Sequence, residues 1–267
     1  MGMILRALKL ISERPSRLLK IFTHDVWRQL VGLRLEGMES PEAAARAEER
    51  RLANSAAFRG EQWRHEGELS RRVYGSFEEY RRHQAGKLTQ LGGEAWIYPE
   101  RTISMFKRRF DGVPAFRNGA RVLCLAARRG EEVKALLEMG CDAIGIDLNP
   151  GENNPLVMTG DFHNLQFAAG EFDSIYTNSL DHVFDLSAVM AEARRVLKPG
   201  GAFVADIVVG YSEGYSVGPH DAMHWPTARG FAEHLADLSD LKLASFRDLQ
   251  SVGSKDWTQA VLVTSTD

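Results

Sequence analysis

The sequence predicts an α/β fold: a mostly parallel sheet with helices on both faces, preceded by a helical N-terminal extension. Three observations carry this. From residue 120 to 265, short β-rich runs alternate with helical runs, the pattern of βαβ units. The strand runs are continuously apolar, as expected when both faces of a parallel sheet are covered. Residues 1–115 carry almost no strand pattern. The expected organisation is therefore an extension over 1–115 and a sheet domain over 116–267.

The elements follow in order. Residues 1–35 are basic, with Arg6, Lys9, Arg14, Arg17, Lys20, Arg28 and Arg34 against Glu13 and Asp25. Ile4, Leu5, Leu8 and Ile11 share one helical face, which Leu18, Phe22 and Val26 continue after Pro15. Such a stretch either docks on the protein's own core or rests on an anionic membrane surface. Ser40-Pro41-Glu42 opens a helix running to residue 58, with Ser as N-cap and Pro in the first turn. A second helix spans Phe77 to Leu91, ended by Gly92-Gly93. Strands are expected at Arg121–Leu125, Ala143–Asp147, Leu156–Met158, Phe172–Thr177 and Ala202–Val208. Helices are expected at Glu131–Met139, Leu186–Leu197 and Thr227–Leu238. Lys198-Pro199-Gly200-Gly201 reads as the turn that stops the second of these. Leu241–Arg247 and Thr258–Thr264 read as a terminal antiparallel pair.

Bulk properties exclude several classes. The net charge of −3 provides no global basic field for nucleic acid. Two cysteines, Cys124 and Cys141, cannot form a disulfide framework or a metal cluster, and reduced thiols fit a cytoplasmic setting. No apolar run is long enough to span a bilayer, and Arg6 and Lys9 interrupt the first apolar stretch, so no secretory signal is evident.

The candidate site begins at the turn after the first sheet strand, where open α/β folds bind ligands. Ala126 and Ala127 keep side chains small there, and Gly130 lets the chain enter the helix. The next strand ends in Asp147, which can accept hydrogen bonds from ribose hydroxyls. Farther on, Asp161 can take the exocyclic amine of an adenine, and Phe162 can pack on its ring.

These motifs resemble class I S-adenosylmethionine-dependent methyltransferases, over roughly residues 120 to 210. V-L-C-L-A-A-R-R-G is similar to that family's first motif. Ile146-Asp147-Leu148 matches the ribose-binding acidic position, and Gly160-Asp161-Phe162 the adenine-contacting position. E-F-D-S-I-Y-T-N and E-A-R-R-V-L-K-P-G-G resemble the fourth strand and the segment before the fifth in the family's small-molecule branch. The chain also resembles a subgroup with an L-C-x-x-A-R-x-G-x-E-V first motif, a G-D-F-H motif and an N-x-x-D-H motif. The resemblance implies a Rossmann-like seven-stranded methyltransferase sheet and S-adenosyl-L-methionine as cofactor. The implied cofactor residues are Ala126, Ala127, Arg128, Gly130, Asp147, Leu148, Asp161, Phe162 and Asn178, the last towards the methionine part. The chain departs from the family at Ala126 and Arg128, which replace glycines, and at Cys124, which replaces an acid. Ala126 fits the turn if its φ is negative. Arg128 either points into solvent or pairs with the cofactor carboxylate. A sulfonium nucleoside has no phosphates for a helix N-terminus to hold, which relaxes the demand for glycine. A nicotinamide-dependent oxidoreductase is thereby the weaker alternative.

An alcohol acceptor needs a base as well as alignment with the methyl group. Asn178-Ser179-Leu180-Asp181-His182 directly follows the fourth strand, with His182 as base and Asp181 as its orienter or a sugar-hydroxyl acceptor, or else with Asp181 capping the following turn and His182 packed under it. His163 is a second polar residue near the site, most simply a turn histidine bonded to backbone. Residues 210–225 read as a mobile loop whose Tyr211, Tyr215 and His220 contact substrate. His220 and His224, four apart, could bind a metal only on a helix, so no metal is expected. His83 and Lys87 share a face of the helix before the sheet, either as solvated residues of an amphipathic helix or as residues that help close the site. The expected function is O-methylation of a small molecule such as a sugar or glycolipid. The alternative is a methyltransferase-fold scaffold without turnover.

Overall fold

The computed structural model describes residues 62–67, 69–90, 98–252 and 255–265, all within one compact unit, Asn54–Asp267. The basic stretch of residues 1–35 and the helix expected from Ser40 to residue 58 lie outside the described residues. No helix among the described residues is long and apolar enough to cross a membrane.

In chain order the elements are β1 (Trp63–Glu66), β2 (Leu69–Arg72), α1 (Phe77–Gln90), α2 (Glu100–Phe110), β3 (Arg121–Leu125), α3 (Glu131–Glu138), β4 (Asp142–Asp147), β5 (Val157–Thr159) and β6 (Phe172–Thr177). They continue with α4 (Leu186–Val196), β7 (Leu197–Val208), β8 (Met223–His224), α5 (Ala228–Ser239), β9 (Lys242–Val252) and β10 (Lys255–Val263). Seven strands form one sheet in the order β5-β4-β3-β6-β7-β10-β9. The first five are parallel, and β10 runs antiparallel between β7 and β9. This is the mostly parallel, seven-stranded Rossmann-like sheet that the motifs imply.

The alternation of each strand sorts its side chains between two cores. On β3, Leu123 and Leu125 join a cluster with Val189 and Met190 of α4 and Phe231 and Leu235 of α5. Val122 and Cys124 face the other way, onto Ile103, Phe106 and Phe110 of α2 and Val133 and Leu136 of α3. Both sheet faces are thus covered, which is why the strands read as continuously apolar. A buried ion pair pins α2 to its face: the Arg109 guanidinium donates to Asp206 Oδ2 of β7 (2.8 Å), which also accepts from the Tyr176 hydroxyl (2.8 Å). Asp185 caps α4 by accepting from the Ala188 N–H (3.1 Å), and Thr227 caps α5 by accepting from the Gly230 N–H (3.1 Å).

Three expectations are corrected. The region before residue 115 does contain strands: β1 and β2 pair, and β2 also pairs with β8 in a separate three-stranded sheet. Their sequences, WRHE and LSRR, carry too few apolar residues to read as strands. Leu197 and Lys198-Pro199-Gly200-Gly201 do not end a helix in a free turn; β7 starts at Leu197, with an irregular register between Phe172 and Ser174 absorbing the glycines. Residues 210–225 are not wholly loop, because Met223–His224 is a strand held by Ser70 and Arg71.

One glycine decides how closely the β3 turn sits on β4. A Cβ at Gly145 would lie 2.8 Å from Ala127 Cβ and 3.0 Å from both Val133 and Val157. Gly145→Ala is therefore expected to overpack the site, costing about 1–3 kcal/mol and lowering Tm by several degrees. A melting temperature equal to wild type would show that the turn has room to move away.

Candidate functional site

The site is built where β3 and β4 end. After Leu125 the chain curls so that its N–H groups face β4: the Ala127 N–H donates to Ile146 O (2.9 Å) and the Arg128 N–H to Asp147 Oδ2 (3.0 Å). The Gly130 N–H then closes the turn on Ala127 O (2.7 Å). This curl requires the left-handed region at Ala126 (φ 55°) and Arg128 (φ 42°). The condition that φ at Ala126 be negative is thus not met. Two L-residues hold the conformation that glycine usually supplies, at a cost of about 1 kcal/mol or more each. Asp147 offsets part of it, because its Oδ1 also accepts from the Asn149 N–H (2.9 Å).

Above the turn lies a cleft lined by Ala126, Arg128, Asp147, Leu148, Phe162 and His182. Tyr80, Gln84 and Ser179 complete its wall. A second hollow shares Leu148 with it and is bounded by Asp161, Gly160, Thr159, Phe77 and Arg81. Seven of the expected site residues therefore line these two hollows. The others lie elsewhere. Ala127 is buried against the Gly145 backbone, and Gly130 (φ 90°) sits over Leu156 and Val157. Asn178 accepts from the Ser179 hydroxyl (3.0 Å), and it is Ser179 that reaches the cleft. Asp181 is buried behind His182.

Helix α1 covers the cleft. The Tyr80 hydroxyl donates to His182 O (3.0 Å), Gln84 Nε2 to His220 O (2.9 Å), and Asn149 Nδ2 to Ala85 O (3.3 Å). Burial pushes the Tyr80 phenol up, so it stays a donor. His83 is stacked on His220 (5.1 Å between centroids) with its Nδ1 2.8 Å from the Tyr74 hydroxyl, and it lines neither hollow. The side chain of Lys87 lies outside the described residues. Tyr80 and Gln84 were missed as cleft residues because their spacing on α1 reports only an amphipathic helix.

The acceptor wall centres on His182. Its Nδ1 lies 3.0 Å from His220 O and 4.0 Å from Asp221 Oδ1, and its Nε2 lies 3.7 Å from Asp181 Oδ1. Asp221 is held in turn by the Gly218 N–H (2.6 Å) and the Tyr215 hydroxyl (3.0 Å) on its Oδ2. Among the described residues, Asp181, His182 and Asp221 bring ligand-type atoms within 4.8 Å of one another. The two carboxylates lie against different ring nitrogens, however, and a backbone carbonyl takes Nδ1. That arrangement suits proton handling better than convergence on one ion. His220 and His224 do not share a helix face. His224 is buried on β8 beside Tyr211, Tyr215 and Trp225, whereas His220 stacks on α1.

Glu132, in the first turn of α3, lies beneath this turn and is 5% exposed. Burial pushes its carboxyl up from 4.5 to about 8, outweighing a bond from its own backbone N–H. The folded protein thus binds a proton that the unfolded chain gives up, and stability falls as pH rises from about 4.5 to about 8. Glu132→Gln should remove this dependence, so its melting temperature should gain on wild type from pH 5.5 to pH 8. A constant difference would place the charge elsewhere.

Comparison with known proteins agrees with this fold. Residues 123–205 match a family described as a methyltransferase domain. No curated protein matches the sequence. Among solved structures, the chain is similar to the 1,6-didemethyltoxoflavin-N1-methyltransferase of Burkholderia thailandensis, at 16% identity and a TM-score of 0.58, covering 76% of this chain and 99% of that one. It is also similar to the [4+2]-cyclase SpnF, at 13% identity and a TM-score of 0.50, covering 62% of this chain and 81% of that one. From β3 into β7, then, the chain matches a methyltransferase domain, and its seven-stranded sheet is that of the Rossmann-like methyltransferase fold.

Proposed function

We propose that the protein is an S-adenosyl-L-methionine-dependent methyltransferase acting on a hydroxyl of a small molecule such as a sugar or glycolipid. The observation that carries this reading is that Asp161 lines one hollow and Asp147 and His182 the other, with Leu148 common to both, a succession that suits the adenine, ribose and methyl parts of a sulfonium nucleoside. The Burkholderia relative was solved with S-adenosylhomocysteine bound, which supports the same cofactor here. The residues fit it. Asp147 retains lone pairs for ribose hydroxyls beyond its two backbone bonds. Asp161 receives both bonds from His163 on Oδ1, leaving Oδ2 for the adenine amine. Leu148 and Phe162 offer apolar faces to the base. The Arg128 side chain, at the cleft wall, can pair with the cofactor's carboxylate.

When bound, S-adenosylmethionine supplies an electrophilic methyl group. The chain's part is to align the acceptor with it and take the proton. With Nδ1 donating to His220 O, His182 presents Nε2 as the acceptor of the hydroxyl proton, and the Asp181 carboxylate beside it stabilises the imidazolium that forms. Asp221 faces the other edge of the ring. Tyr215, expected to contact substrate, instead holds Asp221, while Tyr211 is exposed and packs against His224.

A second reading, a scaffold without turnover, is motivated by the strained Ala126 and Arg128. The likeness to a protein named as a cyclase adds that the fold does not by itself fix the reaction. Calorimetric titration with S-adenosylmethionine and S-adenosylhomocysteine decides between them. The account expects micromolar binding that Asp147→Ala abolishes, and a methylated hydroxyl product in an acceptor screen. Binding without any product favours the scaffold; products on amine or carbon atoms alone would sink the hydroxyl assignment. His182→Gln should lower kcat about 10²–10⁴-fold while leaving S-adenosylhomocysteine affinity within threefold.

A cytoplasmic setting rests on two free, buried thiols, Cys124 and Cys141. For residues 1–35, docking on the protein itself is the favoured reading and membrane-surface contact the alternative. Loss of sedimentation with anionic liposomes on deleting residues 1–20 would establish the membrane role, and unchanged sedimentation would remove it.

A further inference from the structure

His163 follows the adenine-side Asp161 and Phe162 directly, and both of its ring nitrogens are engaged. Nδ1 lies 2.7 Å from Asp161 Oδ1, and Nε2 lies 3.2 Å from the backbone N–H of Asp185. A carboxylate accepts and an amide N–H donates, so the two partners demand one tautomer: Nδ1 protonated, Nε2 bare. The ring is otherwise packed in aromatics, stacked on Phe162 (4.7 Å) and meeting Phe77 (5.5 Å) and Tyr80 (5.8 Å) of α1 edge-on. Its side chain is only 9% exposed. Asp185 is the N-cap of α4, three residues after His182.

We propose that His163 is a positioning residue. It fixes the Asp161 carboxylate on the second hollow with Oδ2 left for a ligand, and it ties that carboxylate to the backbone that carries Asp181 and His182. The base-reading end and the proton-handling end of the cleft are thereby held by a single imidazole. The Asp161 carboxyl reflects this: burial raises it, but the two bonds from His163 outweigh burial and hold it below the ordinary carboxylate range. This inference rests on the cofactor reading for its functional consequence, though the bridge itself does not.

The test uses the full chain and S-adenosylhomocysteine as probe. His163→Phe keeps the stacking and loses both bonds, and should weaken binding about tenfold. His163→Gln can donate through its amide nitrogen and accept through its oxygen, and should restore binding to within about threefold of wild type. In an Asp161→Ala background, His163→Phe should have little further effect, because the carboxylate it positions is gone. Equal losses in the Phe and Gln variants, or full additivity with Asp161→Ala, would overturn the proposal. Nitrogen-15 NMR of the imidazole gives a readout independent of cofactor: the Nδ1–H tautomer is expected, and the Nε2–H tautomer overturns the bridge. A folded wild type that binds no S-adenosylhomocysteine while showing the Nδ1–H tautomer would overturn the cofactor reading and the functional role, leaving only a structural bridge.

Discussion

The site depends on one carboxylate. Asp147, at the end of β4, accepts from the Arg128 N–H through one oxygen and from the Asn149 N–H through the other. The first bond ties the turn after β3 to the neighbouring strand, and the second fixes the loop that carries Leu148. Without Asp147 the Arg128 N–H would be left without this partner, and one of the bonds that offset a backbone held at positive φ in two residues with side chains would be lost. The same aspartate lines the cleft, so the group that stabilises the turn is also the group best placed to read a ribose.

This explains how the turn tolerates the loss of glycines. In a phosphate-binding turn the ligand sits on bare backbone, and a side chain there is excluded. In this turn, Ala126 presents one methyl group to the cleft and Arg128 contributes a cation at its wall. The close approach falls instead between the turn and β4, where Gly145 leaves room for Ala127. The glycine requirement has moved from the ligand side of the turn to the packing side.

Much of the sheet was legible because its strands are apolar on both faces and its helices carry recognisable caps and stops. What was not legible depended on distant partners. β1 and β2 are mostly polar, and β2 pairs with a two-residue strand some 150 positions later in the chain. The Leu197–Gly201 segment has turn composition, yet Phe172 and Ser174 of β6 take it into the sheet. Within the site, Asp147, Leu148 and Phe162 were readable because they end strands or follow them at fixed spacing. Asp221 was not, since it reaches His182 only through the return of the chain after β7. Nor was the bridging role of His163, because no spacing reveals that its second nitrogen meets the N-cap of a helix 22 residues on.

The most direct test of the central claim is a crystal structure with S-adenosylhomocysteine. The account predicts the ribose hydroxyls on Asp147, the adenine amine on Asp161 Oδ2, the carboxylate on Arg128 and the sulfur facing His182, with Ala126 and Arg128 still at positive φ. A ligand bound away from Asp147, or a turn that refolds to negative φ when the ligand enters, would contradict it.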